Sequence, residues 1–235
     1  MQRYFLLEEQ HKLLEVVGGI NTPIARRDHA LFRALLHSGC RGGEFLAVTV
    51  GATMRALVDN YLFIPREHRK KKTVGEGSMR RVIADDHSVY VTVPLREALE
   101  DLLRAHADTL RAAGLESDSL DPDAPLVISR EGGALTMRAM QLRFKEWLVT
   151  AGLPRHATPH WLRHTRAMNI MRSSSARDPR GVVKSVLGHR SIESTGVYTG
   201  VTREEVESAL NTVDAAPRRR LSLSAKRRVY DAANA

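Results

Sequence analysis

The chain is nearly without cysteine: Cys40 is the single one in 235 residues. That excludes an intramolecular disulfide and argues against a zinc site built on thiolates. No apolar run approaches the ~18 residues that a membrane-spanning helix requires. The opening, Met1-Gln2-Arg3-Tyr4-Phe5-Leu6-Leu7-Glu8-Glu9, turns acidic before an apolar signal region can develop. Internal repeats and long low-complexity tracts are lacking as well. These absences predict a soluble protein of a reducing compartment, the cytoplasm. Acidic residues are outnumbered, with 27 Asp plus Glu against 36 Lys plus Arg and a formal net charge of +9. Such a surplus favours a polyanionic partner, nucleic acid first, although a basic tail on a neutral body would give the same sum.

What the chain does contain is helical periodicity, and its 43% of hydrophobic residues can supply a core. Leu6, Leu7, Leu13, Leu14 and Val17 fit one face of a first helix. Asp28 to His37 reads as a second, and Glu44 to Val50 as a short third after a glycine-containing break. Tyr61-Leu62-Phe63-Ile64 and Val89-Tyr90-Val91-Thr92-Val93 are rich in β-branched and aromatic residues and predict strands. Between them lie the basic run Arg69-Lys70-Lys71-Lys72 and the turn Gly75-Glu76-Gly77. Helix resumes over Leu95 to Leu110, and Ser117 to Pro125 is a loop. Met137, Met140, Phe144, Trp147 and Leu148 mark a core-packing helix capped by Thr136. Further helices are expected over Pro159 to Met171, Gly181 to Leu187, Ser191 to Val197 and Arg203 to Asn211. A polar connection covers Arg172 to Arg180. The predicted fold class is mainly α with a small antiparallel β-sheet (α+β).

Three segments carry candidate chemistry. In Ser38-Gly39-Cys40-Arg41-Gly42-Gly43-Glu44, an arginine stands in a glycine turn between apolar helices. Its planar fork suits a phosphate, though a surface arginine in a turn would look the same. In Thr158-Pro159-His160-Trp161-Leu162-Arg163-His164, Thr158 and Pro159 read as a helix start. His160, Arg163 and His164 then share the first turn, where free N–H groups and the helix dipole favour an anion. A solvated basic helix end is the plainer reading. In the third segment, Leu187-Gly188-His189 is followed nine residues later by Tyr198. Gly188 ends one helix, Ser191 can cap the next, and Thr202-Arg203-Glu204-Glu205 reads as a capping box. Tyr198 alone would more simply be a partly buried ring with its hydroxyl at the surface.

Taken in order and spacing, Gly-x-Arg…Glu, His-x-x-Arg-His, and Leu-Gly-His followed by Tyr resemble the tyrosine recombinase (phage integrase) family. The opening Phe5-Leu6-Leu7-Glu8-Glu9 to Leu13-Leu14 is similar to the entry helix of that family's catalytic domain, and the resemblance runs from about Tyr4 to Asn211. It implies that Tyr198 is the nucleophile of a 3′-phosphotyrosyl intermediate. It further implies that Arg41 and Arg163 clamp the scissile phosphate, and that His160 and His189 complete the site. A lysine on the β-hairpin is the family's general acid. Lys72 matches best, because Lys72-Thr73 precedes the turn, with Lys71 and Lys70 as alternatives. The family works without metal or cofactor, and rejoining needs no ATP. The implied activity is site-specific recombination or DNA integration, of the kind found in mobile elements.

Departures from the family's pattern accompany the resemblance. Cys40 stands where a larger aliphatic residue is common, and Gly42-Gly43 replaces a bulkier pair. The expected organisation is a catalytic domain over residues 1–215 and a basic C-terminal tail over 216–235. That tail holds Arg218-Arg219-Arg220 and Lys226-Arg227-Arg228 and either docks in trans, through Leu221, Leu223 and Val229, or lies on DNA. No separate N-terminal core-binding domain is read, and a naturally minimal enzyme is preferred over a catalytic fragment. The expected partners are double-stranded DNA, a homotetramer in the synapse and accessory DNA-bending proteins, with no membrane. The rival readings are a type IB topoisomerase-like relaxing enzyme, which shares the chemistry, and a non-cleaving DNA-binding regulator.

Overall fold

A computed structural model of the chain describes residues 4–69, 72–74, 81–83, 85–115, 120–188 and 203–215. Its helices are α1 (Leu7–Gly18), α2 (Pro23–Ser38), α3 (Gly42–Leu46), α4 (Val50–Asp59), α5 (Val93–Ala112), α6 (Met137–Thr150), α7 (His160–Ser173), α8 (Pro179–Leu187) and α9 (Arg203–Ala215). Strands β1 (Tyr61–Ile64) and β4 (His87–Tyr90) pair antiparallel, with Tyr61 opposite Tyr90 and Ile64 opposite His87. Strands β2 (Lys72–Val74) and β3 (Arg81–Ile83) form a second antiparallel ladder, with Lys72 opposite Ile83. The expected fold class, mainly helical with a small antiparallel sheet, is what is observed.

Side-chain caps set several helix starts. The Thr22, Thr49 and Thr136 hydroxyls accept hydrogen bonds from the N–H groups of Ala25, Ala52 and Ala139 at 3.1–3.2 Å. Each satisfies one of the donors that a helix start leaves without an intrahelical partner. Pro23 extends α2 upstream of the periodic stretch seen in the sequence, because a proline is preformed for the first helical position.

The predicted helix over Glu44 to Val50 is divided instead. α3 stops at Leu46, and Val48 and Val50 pair with the segment before α6: Leu126 donates to Val48 O at 2.9 Å and Val50 to Ala124 O at 3.0 Å. These long-range bonds outcompete helix continuation, and Thr49 then caps α4, a helix that periodicity did not reveal. The strand predicted over Val89 to Val93 is also shorter. Its pairing ends at Tyr90, since Thr92 and Pro94 open α5.

The core centres on α2, whose Ala30, Leu31, Phe32, Ala34 and Leu35 are buried between α1, α5 and α7. Phe32 meets Phe144 of α6 edge-on at 5.0 Å, and Phe5 lies against both Phe144 and Trp161. Of the large residues predicted on α6, Met140, Phe144, Trp147 and Leu148 are buried core, whereas Met137, at the first turn, is exposed. A second cluster, Ile170, Val182, Val186, Leu187, Ala209 and Leu210, joins α7, α8 and α9. No helix among the described residues is long and apolar enough to cross a membrane.

Candidate active site

α2 and α7 pack side by side, which brings the arginines of the first two motifs together. Arg163 is buried on the inward side of α7. Its guanidinium donates to Gly39 O at 2.6 Å and to Leu187 O at 2.8 Å. Those carbonyls belong to the Gly39 turn that precedes Arg41 and to the Leu187-Gly188 turn that precedes His189. One side chain therefore holds the first and third motifs to the second. Burial, then the charge of Arg41, pushes the Arg163 guanidinium down to about 10, while Glu44 opposes the shift. It remains a cation at neutral pH.

Arg41 is the residue before α3 and stays partly exposed. It donates through Nη1 to Glu44 Oε1 at 2.6 Å, and its backbone N–H reaches Glu44 Oε2 at 3.3 Å. Burial alone would raise the Glu44 carboxyl, but the hydrogen bonds and charge of Arg41, with Arg69 behind it, hold it below the usual range. An ionised carboxylate thus fixes Arg41 from one side while the guanidinium keeps an open side. Cys40 is buried, and its thiol is pushed up to about 11 by that burial, so it supplies no thiolate.

The second motif is divided by burial. His160 is exposed, Arg163 is turned inward, and the ring of His164 meets that of His160 edge-on at 4.5 Å. The helix begins with short i→i−3 bonds, from Trp161 to Thr158 O and from Leu162 to Pro159 O. Lys72 is the first residue of β2. Lys70, Lys71, His189, Tyr198, the predicted Ser191 to Val197 helix and the tail from 216 lie outside the described residues. Among the described residues no group of three or more His, Cys, Asp or Glu side chains gathers in a way that could hold a metal ion.

Three residues beside this site were not singled out from the sequence. Arg69 donates to Gly188 O at 2.9 Å and to Asp85 O at 3.0 Å, and its Nε lies 3.7 Å from Glu44 Oε1. His87 Nε2 is 3.0 Å from Val186 O. Burial, then the Arg69 charge, pushes the His87 imidazole down to about 4, so it is neutral and donates to that carbonyl. Asp214 of α9 pairs with buried Arg166 at 2.7 Å and with His37 at 3.2 Å, tying α9 to α7 and α2. In the sequence, Arg69 was visible only as the start of a basic run. Nothing in the local patterns around His87 or Asp214 marks either one.

A mainly helical domain in which a buried arginine ties two motif-bearing turns to the helix that carries it has the tyrosine recombinase fold. The structure aligns with the crystal structure of XerA recombinase at a TM-score of 0.55, with 19% identity, covering 99% of this chain and 65% of that one. It aligns with the Tn1549 transposon integrase in complex with circular intermediate DNA at 0.57, with 14% identity, covering 83% and 62%. Residues 5–205 match the phage integrase family, and the chain belongs to that family. Tyrosine recombinase XerC of Ralstonia pickettii (strain 12J) is 31% identical over 196 residues, covering 83% of this chain and 55% of the relative. That of Oceanobacillus iheyensis is 30% identical over 205 residues, covering 87% and 59%. The chain thus spans little more than half the length of these curated relatives.

Proposed function

We propose that the chain is the catalytic domain of a site-specific DNA recombinase that cuts and rejoins strands through a phosphotyrosyl ester. The observation that carries this reading is the approach of Arg41 and Arg163 across the Gly39 turn, within a chain whose motif order is that of the family. Each guanidinium is anchored on one side, Arg41 by Glu44 and Arg163 by two carbonyls. Such a pair holds its position while negative charge builds on the non-bridging oxygens of a phosphodiester, where fixed donors stabilise the transition state most.

In the proposed reaction the Tyr198 oxygen attacks phosphorus and the bond to the 5′-oxygen breaks. A free phenol with a pKa near 10 is mostly protonated at neutral pH, so its proton passes to an imidazole, His189 or His160. Lys72 gives a proton to the leaving 5′-oxygen. The ester keeps the energy of the broken bond, so attack by a 5′-hydroxyl reverses the step. Strand exchange then involves duplex DNA, four protomers and accessory bending proteins, on DNA in the cytoplasm. Residues 1–215 act as the catalytic domain, with 216–235 as a basic segment that docks on a neighbour or on DNA.

Incubation with a pool of nicked random-sequence duplexes tests the reading. The nick lets the cut strand diffuse away and traps the covalent adduct. Adduct is expected with the unmodified chain and none with Tyr198→Phe; adduct that persists in Tyr198→Phe removes Tyr198 as nucleophile.

A further inference from the structure

The last four carbonyls of a helix have no partner within it, and the helix dipole makes that end attractive to cations. At the end of α8 these groups are accounted for by the helix's own glycine cap and by three side chains from elsewhere in the chain. The Gly188 N–H turns back onto Lys184 O and Ser185 O. The next three carbonyls accept from outside: Val186 O from His87, Leu187 O from Arg163 and Gly188 O from Arg69. Arg69 lies three residues before Lys72, at the foot where the chain enters the β2–β3 ladder. His87 lies four residues after Ile83, where the chain leaves it. Both feet of the hairpin are therefore fastened to the same helix end that holds Arg163.

We infer that Arg69 and His87 are positioning residues, which set the β2–β3 hairpin in register with the Arg163 clamp by sharing the C-terminal carbonyls of α8. The inference rests on the proposed function only for its catalytic consequence. The tether itself is a property of the fold. Arg69 suits this place because one planar guanidinium serves Asp85 O and Gly188 O at once, beside Glu44. A lysine ammonium is a point donor that does not span them. The side chain is almost fully enclosed, at 9% exposure, which sets it apart from a basic run that merely meets solvent or DNA. His87 supplies a neutral donor, which suits a crowded spot already holding Arg69.

Two measurements on the full chain test this. Amide hydrogen exchange, without DNA, reads the tether: Arg69→Lys and His87→Phe should each speed exchange at 72–74 and 81–83 while α2 and α6 keep their protection. His87→Gln, which retains a donor, should restore it. Unchanged exchange at the hairpin overturns the tether, whatever the chain does to DNA. The second measurement uses a nicked duplex recovered from the adduct-forming pool, in two versions differing at the scissile phosphate. One carries the normal 5′-oxygen; the other carries a 5′-bridging sulfur, which leaves as a thiolate and needs little help from an acid. Arg69→Lys should slow adduct formation on the oxygen duplex on the order of 100-fold, the usual scale for a group displaced by about 1 Å. On the sulfur duplex it should approach the unmodified chain. Equal loss on both duplexes, or loss on neither, overturns the hairpin role. An unmodified chain that forms no adduct at all overturns the proposed function instead, and the exchange result still decides the tether.

Discussion

At the scale of single residues, charge and burial separate roles that the sequence lists side by side. Arg163 is enclosed and bonded to two backbone carbonyls, whereas His160, three positions earlier, is exposed. Arg163→Ala should therefore lower the rate of adduct formation by at least about 100-fold, the scale for removing one fixed transition-state donor. DNA affinity should fall only a few-fold, because a chain with a net charge of +9 keeps many other cations to offer a phosphate backbone; equilibrium binding beside single-turnover cleavage checks this, with melting to confirm folding. His87 makes a prediction about pH. Its folded value of about 4 lies below the ordinary 6.5, so between those limits the unfolded chain binds a proton that the folded one refuses. The contribution of His87 to stability is then full above about 6.5, falls as pH drops towards 4, and levels off below. The loss should be on the order of 3 kcal/mol. Burial first, then Arg69 and Arg163, hold the imidazole neutral against the Val186 hydrogen bond and the Glu44 charge. Chemical denaturation of His87→Gln across this window should show a flatter profile than the unmodified chain. Equal slopes would mean that His87 does not titrate this way.

At the scale of elements, the end of α8 is where most of the motif geometry converges. Gly188 has φ +60°, and a Cβ there would lie 2.5 Å from Arg69 Nη2 and 2.9 Å from His87 Nδ1. Gly114 has a similar φ of +69° with nothing within 4 Å. Alanine at Gly114 should cost only the left-handed backbone penalty, about 1–2 kcal/mol. Alanine at Gly188 should cost clearly more, since it must also displace both tethers. Denaturant midpoints of the two variants make the comparison, and equal losses would show that the α8 end is loosely packed. The same element shows what local patterns reveal. Its helix and its glycine end are legible in Gly181 to Gly188, but the partners of its carbonyls come from residues up to 119 positions away. The division of Glu44 to Val50 into α3 and α4 has the same cause. Pairing with the 124–126 segment is a long-range event that no window of the local sequence contains.

At the scale of the whole molecule, the net charge of +9 predicts binding that is dominated by phosphate and is sensitive to salt. If about six phosphates are contacted, affinity for duplex DNA should fall roughly 1,000-fold between 50 and 200 mM salt. A flat response in a titration would count against a DNA partner. The amino-acid sequence by itself determined the helical class, the cap at Thr136, most of the core face of α6 and the order of the motif residues. Each of these depends on periodicity or on chemistry within a few neighbours, and the motif order was enough to point to the family. Only the tertiary structure decided that Glu44 braces Arg41, that Arg163 joins the Gly39 and Leu187 turns, and that Arg69 and His87 share the end of α8. The last two sets of contacts arise where the packing of α2, α7 and α8 leaves backbone carbonyls without partners. A buried carbonyl takes whichever donor the fold brings to it, so its partner is set by packing across the core and not by any nearby pattern of residues.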